Sequence, residues 1–194
     1  MHIIAFVDPD FGLSLNHRRI CRDKYAIEHM ATQFAGQQIT MNPKSARYVL
    51  DSLRKTDKLD LLRIRIIPTF DHVKKDDIIL VEDETGDELN KLVSRADMIT
   101  LFIWDKTHLH DTTFPAFNAD HKWKLTQTVM CGTMQHPGLK AQTYAYQPAP
   151  TYRVILGAHG DDFIYRCRLS YEEAKAAFEN VSTAPGVYKR IERE

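Results

Sequence analysis

The sequence predicts an α/β domain built on a mixed, mainly parallel sheet flanked by helices, followed by a strand-strand-helix extension. Three observations carry that prediction. Along residues 1–147, apolar β-branched runs alternate with segments of helical period, as strands joined by crossover helices do. Glycine, proline and capping residues punctuate the ends of these segments. A Pro148-Ala149-Pro150 stretch then sets off a tail with strand and helix signals of its own.

The first run, Ile3-Ile4-Ala5-Phe6-Val7, is closed by Asp8-Pro9-Asp10-Phe11-Gly12 and reads as a buried strand ended by a turn. A basic loop follows, Asn16-His17-Arg18-Arg19-Ile20-Cys21-Arg22-Asp23-Lys24. Tyr25, Ile27, Met30, Ala31 and Phe34 recur at helical spacing, with Gly36 as a stop. Ile39-Thr40-Met41 is a short strand, and Asn42-Pro43-Lys44-Ser45 opens a second helix carrying Ala46, Val49, Leu50 and Leu53. Leu61-Leu62-Arg63-Ile64-Arg65-Ile66-Ile67 is a half-exposed strand with its arginines on one face, ended by Pro68. Ile78-Ile79-Leu80-Val81 is a buried strand trailed by Glu82-Asp83-Glu84. Thr85-Gly86-Asp87-Glu88 has capping-box spacing and leads into Leu89, Leu92 and Val93. Residues 98–104 are the most strand-like run, and 108–120 form a loop. Trp123-Lys124-Leu125-Thr126 reads as an edge strand, joined through residues 132–138 to Gln142-Thr143-Tyr144-Ala145-Tyr146 in a long hairpin. In the tail, 152–156 and 163–169 read as two strands around Gly157-Ala158-His159-Gly160-Asp161-Asp162. Ser170-Tyr171-Glu172-Glu173 then caps a helix bearing Ala174, Ala177, Phe178 and Val181. The expected division is a main domain over 1–150 and an extension over 151–194, too small for its own core and packed on the main domain.

The bulk numbers narrow the function classes. A chain of 194 residues that is 43% hydrophobic and 27% charged builds a core and is not globally disordered. Lysine plus arginine balances aspartate plus glutamate, so net charge argues for neither nucleic acid nor a membrane surface. Cys21, Cys131 and Cys167 are odd in number and far apart, which speaks against a disulfide framework or a cysteine zinc site. With no leader-like start and no apolar run of transmembrane length, a cytoplasmic protein is expected.

Three stretches in this order resemble dihydrofolate reductase. Ile4-Ala5-Phe6-Val7-Asp8 with Gly12-Leu13-Ser14 and Asn16 looks like that family's first strand and lid loop. Gly36 to Met41 with Lys44-Ser45 looks like its cofactor-side strand and helix start. Ala96-Asp97-Met98-Ile99-Thr100-Leu101, Asp111-Thr112-Thr113-Phe114-Pro115, Trp123-Lys124-Leu125 and Thr143-Tyr144 look like its C-terminal half. The resemblance implies a dihydrofolate-reductase-like sheet and, for a typical member, NADPH-dependent reduction of a pteridine-like substrate. The residues depart from that chemistry. The family's proton-donating carboxylate falls at Ala26 or beside it, and Asp23 and Glu28 are the nearest acids. The family threonine near the pterin is Phe102, and the lid tryptophan is absent. The glycines that bring a pyrophosphate onto backbone N–H groups give way to Glu82-Asp83-Glu84, with Gly86 remaining. Pro43 stands at a phosphate-binding arginine, leaving Lys44 and Ser45 as partial phosphate ligands. The implied protein is a diverged member that has lost ordinary folate reduction. No cofactor is expected, NADPH being the one the resemblance leaves open.

Arg18, Arg19 and Arg22, with His17 and Lys24, crowd the stretch that the resemblance places over the cleft. Planar guanidinium forks suit an anionic small molecule, and these arginines with Phe102 are the expected ligand contacts. His108-Leu109-His110-Asp111, with His121, His136 and His159 elsewhere, offers metal ligands for an alternative, a metal-dependent nucleic-acid hydrolase. A zinc needs three converging ligands, and a polar surface loop is the expected role of this stretch, so no metal is expected. Cys21, beside Arg22 and without an evident histidine partner in sequence, reads as a half-buried packing residue.

Overall fold

The computed structural model describes residues 1–118, 122–158, 161–182 and 187–194. The chain divides into two units, Met1–Tyr146 and Gln147–Glu194.

The first unit is built on β1 (His2–Val7), β4 (Gln38–Met41), β5 (Arg63–Ile66), β6 (Ile78–Val81), β7 (Met98–Ile103), β9 (Trp123–Met130) and β10 (Lys140–Tyr146). They form a seven-stranded sheet in the order β5-β4-β6-β1-β7-β10-β9. The first five in that order run parallel, and β10 pairs antiparallel with both β7 and β9. The mixed, mainly parallel α/β architecture expected from the sequence is therefore present. Strand β1 lies at the centre, and its period-two alternation serves two cores. Ile4 and Phe6 face one cluster with Ala26, Ile27 and Met30 of α1 (Lys24–Gln33) and Ala46, Val49 and Leu53 of α2 (Pro43–Lys55). Ile3, Ala5 and Val7 face the other, with Leu89 and Leu92 of α3 (Gly86–Val93). A parallel sheet covered on both faces needs such a run without polar interruption.

Side chains cap the starts of α1, α2 and α3. Asp23 caps α1, its carboxylate accepting the Tyr25 N–H. Asn42 caps α2 by accepting the Ser45 N–H, with Pro43 in the first turn where its missing N–H costs nothing. Thr85 and Glu88 complete a capping box on α3.

Three features exceed the sequence reading. The basic loop is a hairpin: β2 (Gly12–Leu15) turns through Asn16 and His17, both at positive φ, into β3 (Arg18–Arg19). That is a two-residue turn of the primed kind, whose twist matches a hairpin. Strand β8 (Thr112–Thr113) adds to β2, making a small sheet from the lid-like stretch and the distant loop. The C-terminal unit holds a third strand, β13 (Val187–Arg193), beside β11 (Tyr152–Ala158) and β12 (Asp161–Leu169), with β11 central. Its helix α4 (Tyr171–Asn180) buries Ala174 and Ala177 with Val154, against Tyr152, Leu169, Phe178 and Ile191. The tail thus gathers an apolar cluster of its own, contrary to the expectation from its size. No helix among the described residues is long and apolar enough to cross a membrane.

Candidate functional site

Two polar clusters lie beyond the C-terminal ends of the parallel strands, the edge where open α/β sheets place their ligands.

The first surrounds the end of β6. Glu82 is 5% exposed. Its carboxylate accepts the Ser45 hydroxyl and pairs with the Arg19 guanidinium, and one of its oxygens, Oε1, is buried without a partner among the described residues. Arg19 also lies flat over Tyr48, 3.6 Å from the ring centroid. Asp83 pairs with Lys44 at 2.6 Å and accepts the Asn42 side-chain amide at 2.9 Å. Glu84 turns back so that Oε2 accepts the backbone N–H groups of Glu82 (2.8 Å) and Asp83 (3.2 Å). Burial pushes the Glu84 carboxyl up, and the N–H groups of Glu82 and Glu84 partly offset it. The chain's own carboxylate thus occupies two successive backbone N–H groups at the end of β6. Lys44 and Ser45, the expected phosphate ligands, are engaged with Asp83 and Glu82, while Gly86 starts α3 with open space where a Cβ would stand. A cleft of about 570 Å³ beside this cluster sets Lys44, Lys91 and Arg95 against Asp71, Asp83, Glu84 and Glu88.

The second cluster surrounds His136, in the loop between β9 and β10. Cys131 N–H bonds to the Leu139 carbonyl, and Thr133 and His136 exchange two hydrogen bonds, which folds this loop tightly. His136 is 8% exposed. Its Nδ1 is 2.9 Å from Asp105 Oδ1, and its Nε2 is 3.2 Å from Cys21 Sγ. Asp105 follows β7 by two residues, and its Oδ2 also accepts the Gly138 N–H at 3.2 Å. The His136 N–H bond holds the Asp105 carboxyl below its usual range. A Cβ on Gly138 would lie 2.8 Å from Asp105 Cβ, so only glycine lets the loop approach this closely. Trp104 packs 4.8 Å from the His136 ring, and its indole N–H is buried without a partner among the described residues. Thr133 donates its hydroxyl to Asp23 Oδ2 at 2.5 Å, which ties the start of α1 to the same loop.

The expected site residues separate between these clusters and elsewhere. Asp23 is 5% exposed, and a threonine does accompany it, Thr133 rather than one on β7. Glu28 lies half-buried within α1, where its backbone carbonyl accepts the Thr32 hydroxyl. Phe102 is fully buried and stacked on Phe6 at 4.8 Å, inside the core. Arg19 and Arg22 line the small space beside Tyr48 and Glu82. Arg18 and Arg19 line a separate cleft of about 480 Å³ with Leu15, Asn16, Ile20 and Leu109, whose wall holds no carboxylate among the described residues.

His110 Nδ1 faces Asp8 and the His108 carbonyl, while Asp111 accepts the Asn16 N–H. Among the described residues no group of three or more such ligands gathers; His121, His159 and Gly160 lie outside the described residues. Cys21 is corrected in the other direction: it does have a histidine partner, 115 residues away. No spacing rule connects Cys21, Asp105 and His136, so the triad could be found only in three dimensions.

No family model and no curated protein sequence matches the chain. Among solved structures, the chain is similar to dihydrofolate reductase from Enterococcus faecalis complexed with NADP(H) and RAB-propyl. The match has a TM-score of 0.49 and 10% identity, over 75% of this chain and 95% of that one.

Proposed function

We propose that the protein is a diverged dihydrofolate-reductase-like scaffold that binds a small anionic molecule and does not carry out ordinary dihydrofolate reduction. The observation that carries this reading is the cleft of about 480 Å³ whose wall, among the described residues, holds two arginines, an asparagine and three aliphatic side chains but no acid. Arg18 makes no ion pair among the described residues and so is available to an anion. The aliphatic part of the wall suits the apolar body of such a ligand. The absence of NADPH chemistry is supported by Glu84, whose carboxylate holds the N–H groups at the end of β6.

Thermal unfolding in the presence of phosphate, citrate, benzoate, dihydrofolate and NADPH tests this. One of the small anions should raise the midpoint, since a ligand at about 100 times its Kd adds roughly 2.7 kcal/mol, and Arg18→Ala should remove at least half of that rise. If no anion shifts the midpoint, or the shift survives Arg18→Ala intact, the reading fails.

A second reading, NADPH-dependent reduction of a pteridine-like substrate with Asp23 as proton donor, is favoured by one feature. The Asp23 carboxyl is buried and held by the Tyr25 N–H and the Thr133 hydroxyl. It requires NADPH, so saturable cofactor binding by fluorescence would select it over the first.

A further inference from the structure

We propose that Cys21, His136 and Asp105 form a thiol acyl-transfer site, in which Cys21 takes an activated acyl group from an ester or thioester. The inference is independent of the anion cleft and rests on the second cluster alone.

The three side chains stand in the order nucleophile, base, orienter. Asp105 accepts the His136 Nδ1–H, which fixes the tautomer and leaves the Nε2 lone pair facing Cys21 Sγ at 3.2 Å. Cys21 is half-buried, unlike Cys131 in the core. Its place also matters: it precedes the α1 cap, Asp23, by two residues, beside the positive end of that helix. The unpartnered Trp104 indole N–H leaves a donor in the same cluster to which a ligand oxygen can bond. Burial, with the Asp23 and Asp105 carboxylates, pushes the Cys21 thiol up, partly offset by the Arg22 N–H and the Arg19 charge. The resting group is therefore the neutral thiol, and a base must take its proton during attack. His136 supplies that base.

The step balances with water as the only co-reactant. The Sγ–H proton passes to His136 Nε2 as Sγ bonds to the acyl carbon. The bond from that carbon to the leaving oxygen or sulfur breaks, and His136 returns the proton to the leaving group. Water then attacks the acyl-Cys21 thioester, giving a proton to His136. The Sγ–carbon bond breaks, and the thiolate takes that proton back. The net reaction is hydrolysis. Asp105 is a positioning residue, acting through His136.

The test uses the full chain carrying Cys167→Ser, to remove the exposed thiol, with p-nitrophenyl acetate as probe. A stoichiometric burst of p-nitrophenolate is expected, with the acetyl group located on the Cys21 peptide by mass spectrometry. That location needs no substitution at the site, so it stands even if a site variant fails to fold. Cys21→Ser should abolish the burst, and His136→Gln should slow it about 100-fold at neutral pH, the scale of general-base assistance. Asp105→Asn should slow the burst at neutral pH but not at alkaline pH, where the thiolate forms unaided, and Asp105→Glu should restore part of it. An adduct found on other residues but not on Cys21 overturns the proposal. So does an Asp105→Asn burst slowed equally at every pH, because a merely structural role would act in that way.

Discussion

Arg19 illustrates how a residue that looks like a ligand clamp in sequence becomes part of the wall. Its guanidinium is spent on Glu82 and on the face of Tyr48, and the pair is nearly closed to solvent, with side chains 10% and 7% exposed. Such a pair is weak evidence for net stability, but removing one partner strands a buried charge. Arg19→Ala should therefore destabilise the protein by about 3–5 kcal/mol, while Arg19→Met combined with Glu82→Leu should recover most of that loss. Urea unfolding midpoints of the three proteins decide the matter; a single-variant cost below about 1 kcal/mol would show that the charge is not held in a dry site. The Glu82 oxygen without a partner among the described residues sharpens the expectation, since that carboxylate depends on few donors.

At the scale of the element, the β2–β3 hairpin carries Arg18 and Arg19, and its geometry is set by two residues. Asn16 at φ 49° and His17 at φ 56° occupy the left-handed region. Asparagine tolerates that region because its side chain bonds locally; histidine does so at a cost near 1 kcal/mol. His17→Gly should thus stabilise the protein by up to about 1 kcal/mol while leaving the register Leu15 to Arg18 intact. A chemical-denaturation midpoint that falls instead would mean that the imidazole makes a contact worth more than the strain. The hairpin also depends on Asp111, whose carboxylate accepts the Asn16 N–H at 2.7 Å, so the turn is anchored from a loop 95 residues away.

Over the whole molecule, acid stability follows from polar groups set in the central sheet. His2 lies on β1 with Nε2 2.8 Å from the Thr100 hydroxyl, which is itself 2.9 Å from that of Thr143. Burial pushes the His2 imidazole down to about 4. Its native pKa is below the unfolded value of about 6.5, so the unfolded state binds the proton first. Stability from this group is complete above pH 6.5 and is lost as pH falls towards 4, by at most about 3 kcal/mol. Asp8 continues the trend at lower pH. Burial alone would raise its carboxyl, but the N–H groups of His108, Gly12 and Asp10 outweigh this and hold it below its usual range. Its contribution is lost as pH falls through that depressed value. Urea midpoints measured from pH 7 to 4.5 should decline more steeply for the natural chain than for His2→Gln; parallel slopes would remove His2 from the account.

The fold was legible because its signals are local. A parallel strand covered on both faces must read as an unbroken apolar run, as Ile3 to Val7 and Ile78 to Val81 do. Asn42-Pro43 and Thr85 through Glu88 are helix starts wherever they occur. Strand β13 escaped this logic, since its pattern of half-buried residues is weak without knowledge of its partner β11. The acidic replacement at the end of β6 was also visible in sequence, but not that Glu84 bends back onto its own backbone amides. What only the tertiary structure decided is the company each side chain keeps. Phe102 went into the core, Arg19 onto Glu82, and Asp23 onto a threonine 110 residues away. Cys21, Asp105 and His136 meet because the α1 entry, the end of β7 and the β9–β10 loop converge at one edge of the sheet. Local sequence encodes backbone preference and burial period over a few residues. Contacts between segments a hundred residues apart are fixed by topology, which no short window of sequence contains.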